Sequence, residues 1–209
     1  MGQPAHVHDR GQIEDDLRLA DRCMSGDESA QREFLRRESR RVHATLYRVL
    51  GSNSEIEDLM QEAFIEIFRS LHTFRGESSL STWLDRITVR VACGHLSRPR
   101  LPTTRLELVP DPPADDASAE QRALMREAAR RLYALLDRLE PKKRVAFALH
   151  VIDGRPCKEV AAVMGSSVVL AKVRVSRAWQ YVGRRARTDP LLATFLGSGR
   201  AESGRKERK

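Results

Sequence analysis

Four carboxylates, Glu55, Asp58, Glu62 and Glu66, follow one another at intervals of three, four and four residues. On a helix turning about 100° per residue they fall in a band roughly 80° wide. Ile56, Leu59, Met60, Ala63, Phe64, Ile67 and Phe68 fill the opposite arc. Such a stripe can be a solvated face, a metal site or a dock for a basic partner. Helical carboxylate metal sites pair glutamates with Glu-x-x-His motifs on facing helices, and no Glu-x-x-His occurs in the chain. That argues against a small helical metalloenzyme. Like charges four residues apart cost a few tenths of a kcal/mol per pair, and in sequence only Arg69 lies near enough to relieve them. Ile65 stands among the carboxylates, where a face meeting only water would carry a charge. An apolar anchor with a charged surround is the pattern of a protein interface, so the stripe is open to a basic protein partner as well as to solvent.

A second set of residues has chemistry suited to nucleic acid. Between Val168 and about Arg187, Val168, Ala171, Val175, Ala178, Trp179 and Val182 share one helical face. The opposite face carries Val169, Leu170, Val173, Arg174, Ser176, Arg177 and Gln180, with Lys172 and Arg184 near its edges. Arginines take phosphates or guanine edges in a major groove, and aliphatic side chains meet thymine methyls. A short helix from Pro156, containing Val160, Ala161 and Met164, precedes this one across Gly165-Ser166-Ser167. Short helix, glycine turn and long basic helix outline a helix-turn-helix.

The charge distribution supports the division. Residues 1–98 carry 14 Lys and Arg against 16 Asp and Glu, whereas residues 123–209 carry 20 against 8. The net charge of +8 therefore belongs to the second half, which points it towards a polyanion. Cys23, Cys93 and Cys157 are odd in number and lack a Cys-x-x-Cys pair, which suits small buried residues in a reducing compartment rather than disulfides or zinc. No apolar run approaches the roughly 20 residues that span a bilayer. The start, MGQPAHVHDR, has no apolar targeting core. A soluble, cytoplasmic chain is expected.

The elements that position these residues follow in order. Residues 1–12 are expected to be disordered, with His6 and His8 among them, and 13–24 form a short helix ended by Ser25-Gly26. Asp27 caps a long helix to Leu50, with Phe34, Leu35, Val42, Leu46 and Val49 as its apolar stripe, and Gly51 closes it. Asn53 or Ser54 caps the acidic helix. Phe74 to Ser79 is a loop, and Leu80 to Leu96 is helical, with Trp83, Leu84, Ile87, Val91 and Leu96 available for burial. Five prolines and several aspartates make 99–118 an extended linker, too long for a connection within one domain. A second domain, 119–187, begins with a helix marked by Leu124, Ala128, Leu132, Leu135, Leu136 and Leu139. Pro141 opens the next helix, to Val151, and Asp153-Gly154 turns the chain. Residues 188–209 read as a basic, disordered tail. The expected fold class is all-α: two small helical domains, 13–98 and 119–187, on a flexible Pro/Asp-rich linker, the second a helix-turn-helix.

DLMQEAFIEIF, FRGESSLSTWLDRI, the Pro-rich linker, LDRLEPKKRVAFALHVIDGRPCKEVAAVMG and KVRVSRAW occur in this order. Together they resemble the extracytoplasmic-function (ECF) group of bacterial RNA polymerase sigma factors over about residues 15–187. The resemblance implies a promoter-specificity subunit without catalytic residues, cofactor or metal. It implies that Asp58, Gln61, Glu62 and the anchor Ile65 grip the largest catalytic subunits of core RNA polymerase. Phe74, Arg75, Trp83, Arg86 and Arg90 would recognise and melt the −10 element, Trp83 being either core or base platform. Ser167, Val169, Leu170, Lys172, Val173, Arg174 and Arg177 would face the −35 element. The resemblance also implies control by an anti-sigma factor, often membrane-bound. This chain departs from the family pattern at Ser166-Ser167, at Val169-Leu170, and at Arg90 and Gly94. The rival expectation is a helix-turn-helix regulator that acts without polymerase.

Overall fold

The computed structural model describes residues 10–52, 55–98 and 118–194, and their regular structure is helical. Four helices build the first domain: α1 (Arg10–Met24), α2 (Glu28–Leu50), α3 (Ile56–Ser70) and α4 (Leu80–Ser97). Asp27 caps α2, its carboxylate accepting from the Ser29 and Ala30 N–H groups. The Ser29 hydroxyl, the Ala30 N–H and the Arg22 guanidinium hold that carboxyl well below the usual range. Gly51 ends α2 in the left-handed region at φ 74°, a conformation that favours glycine. Asn53 and Ser54 lie outside the described residues, and Glu55, at the cap position of α3, makes no side-chain capping bond. A 3₁₀ turn, Leu71–Thr73, follows α3, and Ser79 caps α4 by accepting from the Thr82 N–H. The stripes read from the sequence meet in one core, where Phe34, Val42, Leu46, Ile56, Ile67, Leu80 and Leu84 are buried.

The second domain contains α5 (Ala119–Leu136), α6 (Pro141–Phe147), α7 (Cys157–Val163) and α8 (Val168–Ala186). Ser118, assigned above to the linker, begins this domain: its hydroxyl and the Gln121 side chain form a reciprocal capping box. The rest of the linker, 99–117, lies outside the described residues, as do 1–9. The helix from Pro141 does not run regularly to Val151. It widens into a π turn, Ala148–Ile152, where the Asp153 N–H donates to the Ala148 carbonyl. Hydrophobic spacing does not encode that change, because one inserted residue leaves the buried face intact. Two residues expected in the core are exposed: Leu124 at 46% and Val168 at 40%. Val168 is the first residue of α8, and Leu124 lies in the second turn of α5. The tail begins later than expected. Asp189 accepts from the Leu191 and Leu192 N–H groups and pairs with Arg131, and a helical turn at 190–194 buries Leu192.

The two domains share a core, a feature that periodicity along the chain does not contain. Val145, Ala146, Leu149, Val160, Val163, Ala171 and Val175 join the apolar cluster of the first domain. Arg144, 1% exposed, sits on the end of α2: its Nε donates to the Val49 carbonyl at 2.8 Å and its Nη2 to the Leu50 carbonyl at 2.7 Å. It also pairs with Asp137. The last carbonyls of a helix lack intrahelical donors and carry partial negative charge, so a buried guanidinium from the other domain satisfies them. The Tyr133 hydroxyl donates to the Arg48 carbonyl at 2.8 Å, and its ring lies where a Cβ on Gly51 would approach within 2.2 Å.

Candidate docking and nucleic-acid interfaces

Helix α3 buries Ile56, Leu59, Ala63, Phe64 and Ile67 against the core, which turns Asp58, Gln61 and Glu62 outward. Ile65 is 58% exposed among them. Together with Arg90 and Gly94 of α4 these residues line an open cleft of about 480 Å³. The charges are not relieved by Arg69 alone. Arg90 Nη2 lies 2.8 Å from Glu66 and Arg98 Nη2 lies 3.3 Å from Glu62. Both arginines come from α4 and its end, 24 and 36 residues away in sequence, too distant for helical spacing to reveal. Exposed pairs of this kind contribute 0–1 kcal/mol, so an incoming cationic partner can displace them.

The residues expected to meet the −10 element divide into two groups. Phe74 is buried, as is Trp83, and their rings pack tilted with centroids 5.7 Å apart. Of the two roles open to Trp83, core is the one observed. Phe74 is buried in this conformation, its ring packed into the core. The signal was ambiguous because an aromatic beside a glycine loop suits either role. Gly76 adopts φ 71°, and a Cβ there would lie 2.9 Å from an Ile13 methyl, so α1 packs tightly over this loop. Arg75, Arg86 and Arg90 are exposed. Arg86 is engaged across the domain boundary, its Nε donating to the Ala162 carbonyl at 2.7 Å.

In the helix-turn-helix, Gly165 takes φ 56° between α7 and α8, and Ser167 caps α8 by accepting from the Leu170 N–H at 3.2 Å. Ala171, Val175, Ala178 and Val182 fix α8 to the core. Val169 (72%), Leu170 (42%) and Val173 (37%) are exposed on the outward face with Lys172 and Arg177. Arg174 differs from its neighbours. It is half-buried, close enough to α4 that it and Lys142 pull down on the Cys93 thiol, whose pKa burial pushes up.

These surfaces coincide with known families. Residues 34–100 match sigma-70 region 2 and residues 129–180 match sigma-70 region 4. A region 2 domain carrying an acidic helix and a region 4 domain carrying a helix-turn-helix define a transcription sigma factor. The ECF RNA polymerase sigma-E factor of Escherichia coli strain K12 is 28% identical over 183 residues, spanning 83% of this chain and 94% of that protein. The RNA polymerase sigma-H factor of Pseudomonas aeruginosa is 28% identical, spanning 86% and 96%. The solved structure of CnrH in complex with the cytosolic domain of CnrY shares the fold, with a TM-score of 0.55 and 23% identity over 82% of this chain and 96% of that one. The chain belongs to the extracytoplasmic-function group of RNA polymerase sigma factors.

Proposed function

We propose that this chain docks on core RNA polymerase through Asp58, Gln61, Glu62 and Ile65 and directs initiation at promoters with −10 and −35 elements, under the control of an anti-sigma factor. The observation that carries the docking role is Ile65, 58% exposed within a carboxylate stripe on a helix anchored by five buried side chains. A rigid helix holding one apolar anchor among acids suits a basic, partly apolar surface. Arg75, Arg86 and Arg90 meet the −10 strand, where unstacking a base costs a few kcal/mol and stacking on a guanidinium plane or an aromatic ring returns about 1–3 kcal/mol per base. Ser167, Val169, Leu170, Lys172, Val173, Arg174 and Arg177 address the −35 element. Neither domain performs bond chemistry, since the polymerase makes the phosphodiester bonds, and the chain works in the cytoplasm. Among the described residues no helix is long and apolar enough to cross a membrane. The apolar patch at Val169, Leu170 and Val173 also suits burial by an anti-sigma factor.

Retention of the chain by immobilised core polymerase at low salt tests the docking role. Asp58→Arg combined with Glu62→Arg is expected to abolish retention while the helical circular dichroism stays unchanged. Retention equal to that of the wild type would remove α3 from the interface.

A further inference from the structure

Glu66 of the acidic stripe takes no part in the dock proposed for Asp58, Gln61, Glu62 and Ile65, and its surroundings set it apart. Arg90 Nη2 of α4 holds one of its oxygens at 2.8 Å, and Arg69 Nη1 lies 3.7 Å from the other. Glu62 has a single partner, Arg98 at 3.3 Å, and Asp58 makes no ion pair among the described residues. The stripe therefore ends in a bracket of two arginines against one carboxylate, with net positive charge. Arg90 gives Glu66 one of a guanidinium's five N–H donors and keeps four. Its side chain is 64% exposed against 34% for Glu66, so the carboxylate is the sheltered partner and the guanidinium stays open to an incoming group. One turn along the same face of α4 is Gly94, a residue type that weakens a helix interior relative to alanine. No packing demands it, since a Cβ there would meet nothing within 4 Å. Glu66, Arg90 and Gly94 line the same cleft, and the glycine leaves space beside the guanidinium.

The geometry points to a base-reading notch: Arg90, oriented by Glu66 and given room by Gly94, reads a guanine within the −10 element. The inference deepens the sigma-factor function proposed above and rests on it. A guanidinium only donates, so it selects an edge that offers acceptors alone. Guanine presents two neighbouring acceptors, N7 and O6, on its major-groove edge. On the same edge adenine sets an amino group beside N7, cytosine presents an amino donor, and thymine offers O4 next to a methyl. Arginine meets guanine through two parallel bonds, which require a planar group held in one orientation. A long side chain on a helix surface gives up rotamer freedom to reach that orientation. The bond to Glu66 restricts Arg90 before DNA arrives, so less is lost on contact. Glu66 is thus a positioning residue that acts through Arg90. At the other end of the cleft Asp58 and Glu62 repel phosphate, which leaves the positive bracket as the end that nucleic acid enters.

The test uses holoenzyme assembled from core polymerase and the full chain, on a promoter first found by run-off transcription of genomic fragments. Each −10 position is replaced in turn by all four bases. Initiation is read as a ratio between templates within one preparation, so that any change in docking cancels. The wild type is expected to favour guanine at one position by about five- to 150-fold, the span of a good bidentate contact. Arg90→Lys keeps a cation for phosphates but lacks the planar fork, so it should lose that preference and retain the profile at the other positions. Gly94→Leu, which fills the notch, should lose the preference as well. Glu66→Gln should reduce it while retention on immobilised core polymerase stays at the wild-type level. A wild type with no guanine preference, or one that survives in Arg90→Lys, would overturn the notch. So would an equal decline on every template in Arg90→Ala, which would assign the residue to phosphate. If the wild-type holoenzyme initiates on no fragment, the sigma-factor function itself fails, and the notch with it.

Discussion

Phe74 shows how one residue can carry two incompatible demands. In this structure it fills the core beside Trp83, whereas capturing a flipped base needs a free ring face. Phe74→Ala is therefore expected to lower stability by about 3–5 kcal/mol, the usual result of truncating a buried aromatic, as read by urea denaturation. Phe74→Leu separates the roles. It keeps most of the buried volume, so it should retain stability and permanganate-reactive promoter melting if packing is the role. Retained stability with lost melting would instead assign the ring to the DNA. Helical spacing made Trp83 available for burial but left it open between core and base platform. Burial of Phe74 was not legible at all, because it lies in a loop where periodicity is silent and its packing against Trp83 of α4 is a tertiary contact.

At the scale of the element, α8 is a rod whose two faces answer to different forces. Apolar periodicity predicts the buried Ala171, Val175, Ala178 and Val182, and the outward face follows by elimination. What that face does depends on its charges. Each phosphate contact contributes about 0.9 to the slope of log affinity against log salt on duplex DNA. Arg177→Ala, on the exposed face, should lower the slope by about that amount for holoenzyme on promoter DNA, measured by titration at several salt concentrations. Arg174→Ala should have the smaller effect in the free chain, where Arg174 is half-buried at the domain boundary, and the larger once polymerase is bound. Equal slopes for the Arg177 variant and the wild type would remove that residue from the phosphate contacts. On α3 the same division held: Ile65 and the carboxylates were legible as a face, but their pairing with Arg90 and Arg98 came from a helix far along the chain.

At the scale of the molecule, the packing of the two domains depends on small-residue complementarity as well as charge. Gly51 combines a left-handed backbone with a neighbouring Tyr133 ring that leaves no room for a Cβ. Gly51→Ala should destabilise the folded protein by at least the 1–2 kcal/mol that a left-handed alanine costs, as read by urea denaturation. A denaturation midpoint equal to that of the wild type would mean that the seat of Tyr133 against the end of α2 contributes nothing to stability. The amino-acid sequence by itself determined most of the helices, the Asp27 and Gly51 ends of α2, the acidic and basic faces and the two-domain plan, because each is set by spacing within a few turns of chain. Only the tertiary structure decided where the partners come from: Arg144 on the end of α2, Arg155 on Asp85, Arg90 and Arg98 on the acidic stripe. Those contacts join residues up to 95 positions apart, and no local period encodes which distant face a helix will meet. Packing settles that by burying the apolar area of both domains together and matching the charges left at its edge.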